Sequence, residues 1–377
     1  MSKSNMQQLA DLGQSVWLDY IDRPLLETGK LQKLIEQGLR GMTSNPSIFN
    51  NAIGNSNDYD EKIVQLKNAG RSTFEIYDEL TIKDIQDAAD AFKGVFDATK
   101  GLDGYVSLEI NPQLANQFEE QAREGRRLWK KVNRANVMIK VPSTANGLKV
   151  VEELIADGIN VNVTLIFSLE QYVNTAKAYM AGLKRLSENG GDLSKVRSVA
   201  SFFVSRIDTA IDKMIDEELE LLQEAQTKAH LLLLKGKAAV ANCREAYKNF
   251  QKISQSDDFK QLQQKGAHQQ RLLWASTSTK NPEYNAVKYV AELISSPTVN
   301  TIPEKTLMTF MQEQKVAEAF NVSNMENGDV LEALKSFGIH IDEVCAVLLT
   351  DGVKAFDDSF VELFASIEKK AAKLVAK

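Results

Sequence analysis

Cysteine and histidine are scarce here, with two of the first and three of the second among 377 residues. Cys243 and Cys345 stand a hundred residues apart, and neither they nor the scattered histidines form a zinc or haem spacing, which excludes metal chemistry built on sulfur or imidazole. No metal ligand and no cofactor is expected. Long apolar runs are also lacking. The run 344–349, one of the longest, is bounded by Glu343 and Thr350, far short of the ~18 residues a membrane span requires. The first residues lack a basic region followed by an apolar stretch, so a cytoplasmic location is the expectation. There is no excess of positive charge: 45 Lys+Arg stand against 51 Asp+Glu, a net −6, which disfavours a nucleic-acid binder.

What is present is an ordinary globular composition, 43% hydrophobic and 25% charged, enough for a large core. Eight short β-rich runs, at 16–20, 41–45, 105–110, 136–141, 161–166, 199–204, 272–276 and 299–302, alternate with stretches of helical periodicity. That alternation predicts an α/β fold with a parallel sheet, and eight strands predict a closed (β/α)8 TIM-type barrel. Pro24, Pro46, Pro112 and Pro142 fall shortly beyond the ends of runs, where a residue without a backbone donor is tolerated. Helix spacing recurs at Ile211, Met214, Ile215, Leu219 and Leu222, and again at Val353, Phe356, Phe360, Phe364 and Ile367. The stretch after Arg206 is longer than a barrel unit needs. The expectation is therefore a single domain over 1–377, with a helical insertion at about 208–268 and C-terminal helices at about 329–377. Helical faces that pack on a barrel or on a second copy share one periodicity, so the pattern is equally compatible with a homo-oligomer.

Alternation of side chains across a strand turns polar spacing into a test of face. Within 137–141, Val137, Ile139 and Val141 take one face while Met138 and Lys140 take the other, which sets an ammonium in an apolar strand. Ser107 and Glu109, Asn162 and Thr164, Trp17 and Asp19, and Ser201 with Phe203 separate in the same way. A barrel interior collects these groups at one mouth. Taken singly, Lys140 fits an edge-strand or snorkelling lysine, and Glu109 or Asp19 a structural carboxylate. As a set they fit chemistry. An amine freed of water is a nucleophile that adds to a ketone and loses water, and the resulting iminium permits cleavage of the neighbouring carbon–carbon bond. That is class I aldolase chemistry, with Glu109 and Asp19 as the available proton carriers.

The segments GMTSNPSIF at 41–49 and VMIKVPSTANGL at 137–148 resemble the two characteristic motifs of transaldolases, and WLDYIDR at 17–23, SLEINP at 107–112, NVTLIFS at 162–168, SFFVSRID at 201–208 and WASTSTKNP at 274–282 extend the resemblance over nearly the whole chain. The length and the insertion resemble the longer bacterial branch. The resemblance implies Lys140 as the Schiff-base lysine, Glu109 as the acid–base group that holds a catalytic water with Thr164, and Asp19 as the second proton-transfer residue. Asn45 and Asn162 would hold the three-carbon unit. Arg206, Lys280 and Ser201 would receive the substrate phosphate, with Phe203 also at the substrate. Many members carry arginine where Lys280 stands, and Met42 replaces a small branched residue. The implied activity is transfer of a dihydroxyacetone unit from sedoheptulose 7-phosphate or fructose 6-phosphate to glyceraldehyde 3-phosphate or erythrose 4-phosphate, within the pentose phosphate pathway. Phosphorylated sugars are then the partners, with no nucleic acid and no membrane. Two alternatives are a fructose 6-phosphate aldolase, for which the related pattern has glutamine at the Glu109 place and tyrosine at the Phe203 place, and a non-catalytic barrel serving as a binding subunit.

Overall fold

A computed structural model describes residues 3–312, 316–320 and 328–375. Eight parallel strands close into a barrel: β1 Gln14–Asp19, β2 Gly41–Thr43, β3 Tyr105–Glu109, β4 Val137–Pro142, β5 Val161–Ile166, β6 Ser198–Phe203, β7 Arg271–Ala275 and β8 Thr298–Ile302. Each pairs with its neighbour in sequence, and β8 returns to β1 through five register pairs from Gln14 with Thr298 to Leu18 with Ile302. The eight β-rich runs are thus the eight strands, displaced at their ends by a residue or two, and the expected (β/α)8 architecture is the one observed.

Burial explains why these runs are strands. Every residue of β2 through β8 is buried, as parallel strands covered on both faces must be, and the helices supply the outer cover. The base of the barrel is filled by Trp17 and by an ionic group. Gly41 is required beside the indole, because a Cβ there would lie 2.7 Å from Trp17 ring atoms. Arg271 donates from Nη2 to Asp103 Oδ1 at 2.8 Å and from Nη1 to Ser15 Oγ at 2.9 Å, while Ser15 donates to Asp103 Oδ2 at 2.8 Å.

Between β6 and β7 the chain forms the helices Ser205–Leu221, Ala225–Leu232, Ala238–Ser254 and Asp257–Gln264. The last of these is rich in glutamine, with Gln261, Gln263 and Gln264. Two aspartates one turn apart on the first helix tie the segment down. Asp208 accepts from Ala239 N at 2.7 Å and from the Tyr289 hydroxyl at 2.7 Å, and Asp212 accepts from Gly236 N at 2.8 Å and from the Tyr284 hydroxyl at 2.6 Å.

The C-terminal stretch forms the helices Gly328–Ser336 and Ile341–Val375. Residues 376–377 of the expected helical stretch lie outside the described residues. The long helix runs across the C-terminal end of the barrel. Lys370 is its fastening: Nζ donates to Ile53 O at 2.9 Å and to Ser56 O, and pairs with Asp60 Oδ1 at 2.9 Å. Among the described residues no helix is long and apolar enough to cross a membrane.

Candidate active site

Strand register assembles the site. Glu109 on β3 lies beside Lys140 on β4, Lys140 beside Asn162 on β5, and Pro142 beside Thr164. On the other side of the mouth Asp19 on β1 lies beside Thr43 on β2. Parity turns these side chains inward, and a cavity at the C-terminal ends of the strands is lined by Asp19, Asn45, Lys140, Thr164, Ser201, Phe203, Arg206 and Lys280. Eight of the ten residues expected from sequence therefore share one cavity wall.

The other two stand behind it. Glu109 is 7% exposed, with Oε2 3.4 Å from Lys140 Nζ. Asn162 is wholly buried; its Nδ2 donates to Ser107 Oγ at 3.0 Å and its Oδ1 accepts from Ser201 Oγ at 2.6 Å. Both ends of that amide are engaged within the barrel. Asn45 is engaged at one end only. Its Oδ1 caps the helix Pro46–Phe49 by accepting from Ile48 N at 3.0 Å, so its amide nitrogen is the group left for a ligand.

Lys140 is 5% exposed, and Nζ donates to Ser44 O at 3.2 Å, facing Glu109 on the opposite side. Burial pushes the Glu109 carboxyl up to about 7; the Lys140 charge opposes the shift and Asp19 adds to it. Burial likewise raises Asp19, against the Lys140 charge, the hydrogen bond from Thr43 Oγ1 at 2.6 Å and the more distant Lys280. Two carboxyl groups poised above their ordinary range beside one amine form a proton-handling set. Among the described residues Thr164 Oγ1 is buried without a hydrogen-bond partner and Glu109 Oε2 has only the 3.4 Å ion pair with Lys140, and buried polar groups in that state favour whatever polar atom enters. The bulge between Val163 and Ile166, with Leu165 at φ 60°, keeps Thr164 facing the cavity while breaking the pairing register with β6.

At the outer rim Arg206, in the first turn of the helix after β6, lies with its guanidinium carbon 5.6 Å from the centre of the Phe203 ring. Its burial lowers the guanidinium's affinity for its proton, and Asp351 of the C-terminal helix opposes that. Lys280 is exposed, with Nζ 3.2 Å from Ser278 Oγ. The sequence reading missed Thr43, Thr301 and Phe356. Thr43 sits two residues before Asn45 and shares its face, so parity applied to β2 would have found it. Thr301 bonds Thr43 at 2.6 Å from β8, the strand with the weakest pattern. Phe356 comes from outside the barrel, and helix periodicity does not say what a helix covers.

A buried lysine between carboxyl groups at the C-terminal mouth of a closed parallel barrel defines the class of lysine-dependent barrel enzymes that act on carbonyl compounds. Residues 16–367 match the family described as transaldolase/fructose-6-phosphate aldolase. The chain is 45% identical to a transaldolase of Trichodesmium erythraeum over 99% of both chains. It is 43% identical to transaldolase 2 of a Nostoc species and 43% identical to a transaldolase of Saccharopolyspora erythraea, each over 98% of both chains. The chain belongs to the transaldolase/fructose-6-phosphate aldolase family, and its enzymatic class is that of a transaldolase, a transferase.

Proposed function

We propose that Lys140 captures a ketose phosphate as a Schiff base and passes its dihydroxyacetone unit to an aldose phosphate, with each site residue in a definite part. Lys140 Nζ adds to the ketose carbonyl. Glu109, with a carboxyl that holds its proton to about 7, protonates the departing hydroxyl, and water leaves from a position shared with Thr164. Asp19 takes the proton of the hydroxyl beyond the breaking bond, the aldose departs, and the electron pair remains on the amine-linked fragment as an enamine. An aldehyde acceptor then receives that carbon, and Asp19 returns the proton. Asn45 holds the hydroxyls of the fragment, and Asn162 orients Ser201 from beneath. Arg206 and Lys280, with Ser201, receive the phosphate beyond β6 and β7, and Phe203 closes one side.

The observation that carries this reading is the 3.4 Å approach of Glu109 to Lys140 with both side chains buried at the mouth. Unlike the structural pair of Arg271 and Asp103, this pair has a carboxyl raised to about 7 and a second raised carboxyl, Asp19, facing the same amine, which favours catalysis over a non-catalytic barrel. The same reading takes the chain as one domain to which 208–268 and 329–377 are additions, in the cytoplasm and working in the pentose phosphate pathway. Borohydride reduction in the presence of fructose 6-phosphate tests it. One sugar fragment should attach at Lys140 and be lost in Lys140→Ala, while Asp19→Asn should keep the adduct and lose carbon–carbon cleavage by roughly 10²–10⁴. Rapid consumption of fructose 6-phosphate without an acceptor would favour the aldolase alternative, and an unmodified Lys140 would remove the mechanism.

A further inference from the structure

We propose that Phe356, carried by the C-terminal helix, decides whether the captured three-carbon unit is transferred or hydrolysed, by keeping bulk water from the Lys140 adduct. The inference rests on the Schiff-base reading of Lys140 and adds a residue from outside the barrel to it.

The helix Ile341–Val375 buries a stripe of Phe356, Phe360, Leu363, Ile367 and Ala371, spaced by three or four residues. That spacing alone would explain a docked helix. The farther part of the stripe has its partners on the barrel flank, where the Phe360 ring meets Tyr77 edge-on at 5.2 Å and Lys370 is tied to Ile53, Ser56 and Asp60. Phe356 sits elsewhere. It lines the cavity together with Asp19, Lys140 and Thr164, its ring centroid is 5.6 Å from Lys140 Nζ, and it is 7% exposed. One turn earlier Gly352 lets the helix settle against the bulged end of β5, since a Cβ there would stand 3.1 Å from Leu165 Cδ2. The absence of a side chain at 352 thus lets Leu165 pack closely against the helix one turn before the ring at 356.

The chemistry divides after cleavage, when the electron pair lies on the enamine carbon. In transfer that pair forms a bond to the acceptor's carbonyl carbon, the oxygen takes the proton held by Asp19, and one water then releases the new ketose from the lysine. In hydrolysis the same carbon takes a proton delivered through water, and one water releases free dihydroxyacetone. The two routes differ in what reaches the carbon first. An apolar ring over the amine leaves no proton donor on that side and favours the iminium charge through its face.

The test uses the full chain and two variants, Phe356→Ala and Phe356→Leu. Dihydroxyacetone release from fructose 6-phosphate alone is compared with transfer to erythrose 4-phosphate, each divided by the amount of Lys140 trapped by borohydride so that a misfolded fraction cancels. The ratio of release to transfer should rise about tenfold in Phe356→Ala and stay within about threefold of the parent in Phe356→Leu, a barrier difference near 1.4 kcal/mol for the first. Should the alanine variant not fold, Phe356→Met and Phe356→Val replace it, and the ratio should rise as side-chain volume falls. An unchanged ratio with Lys140 still trapped overturns the proposal and leaves the Schiff-base reading standing. Failure to trap Lys140 in the parent overturns both.

Discussion

At the scale of single residues burial sets the protonation of the site. Glu109 keeps its proton to about 7 in the folded chain because burial penalises the carboxylate more than the Lys140 charge favours it. The unfolded chain releases that proton near 4.5, so between those values the folded state binds more protons and its stability declines as pH rises. Above about 7 both states have lost the proton and the penalty is complete. Glu109→Gln cannot titrate. Its stability relative to the parent should therefore grow from pH 4.5 to 7 and then level off, as urea midpoints across pH would record. A difference independent of pH would mean the carboxyl is not raised. Most of the ten expected side chains were legible in the sequence, because alternation along a strand reports face without any knowledge of neighbours. Asn162 shows the limit of that signal. Face alone does not show that its amide donates to Ser107 and accepts from Ser201.

Among elements, the strands were the most legible and the C-terminal helix the least. Strands β1 to β8 carry apolar runs and end in turn residues, so their identities follow from local chemistry. The helix Ile341–Val375 has an equally plain stripe, yet periodicity says only that one face is covered, and the cover here is partly the barrel flank and partly the cavity. Gly352 is where this can be tested without touching Phe356. Gly352→Val adds bulk against Leu165, whose Cδ2 would already stand 3.1 Å from a Cβ, and overpacking there pushes the helix and Leu165 apart. Release of dihydroxyacetone relative to transfer should rise in the direction expected for Phe356→Ala, by a smaller factor. Parent-like partitioning in a folded Gly352→Val protein would mean the helix does not set the depth of the ring.

For the whole molecule the barrel separates stability from chemistry by placing them at opposite ends. The base holds Arg271 and Asp103 at 2.8 Å with side chains 8% and 6% exposed, joined to Ser15, while the groups proposed to react, Lys140 and Asp19 among them, lie at the C-terminal mouth. Removing one member of a buried ion pair leaves the other uncompensated. Asp103→Asn should therefore cost about 3–5 kcal/mol in chemical denaturation while leaving KM for the sugar phosphate unchanged. A change in KM as large as the loss of stability would show that base and mouth are coupled.

Readable from sequence alone were the eight strands, the inward face of five of them, the lysine and its two carboxyl groups, and the family to which the chain belongs. These are properties of short stretches, where residue type, alternation and motif speak directly. The tertiary structure was needed to show that Glu109 meets Lys140 at 3.4 Å, that Asn162 bonds Ser107 and Ser201, and that Phe356 reaches the amine from 216 positions further along the chain. Each of those outcomes depends on register between strands or on where a helix comes to rest, and both are set by packing over the whole closed barrel, which no local pattern encodes.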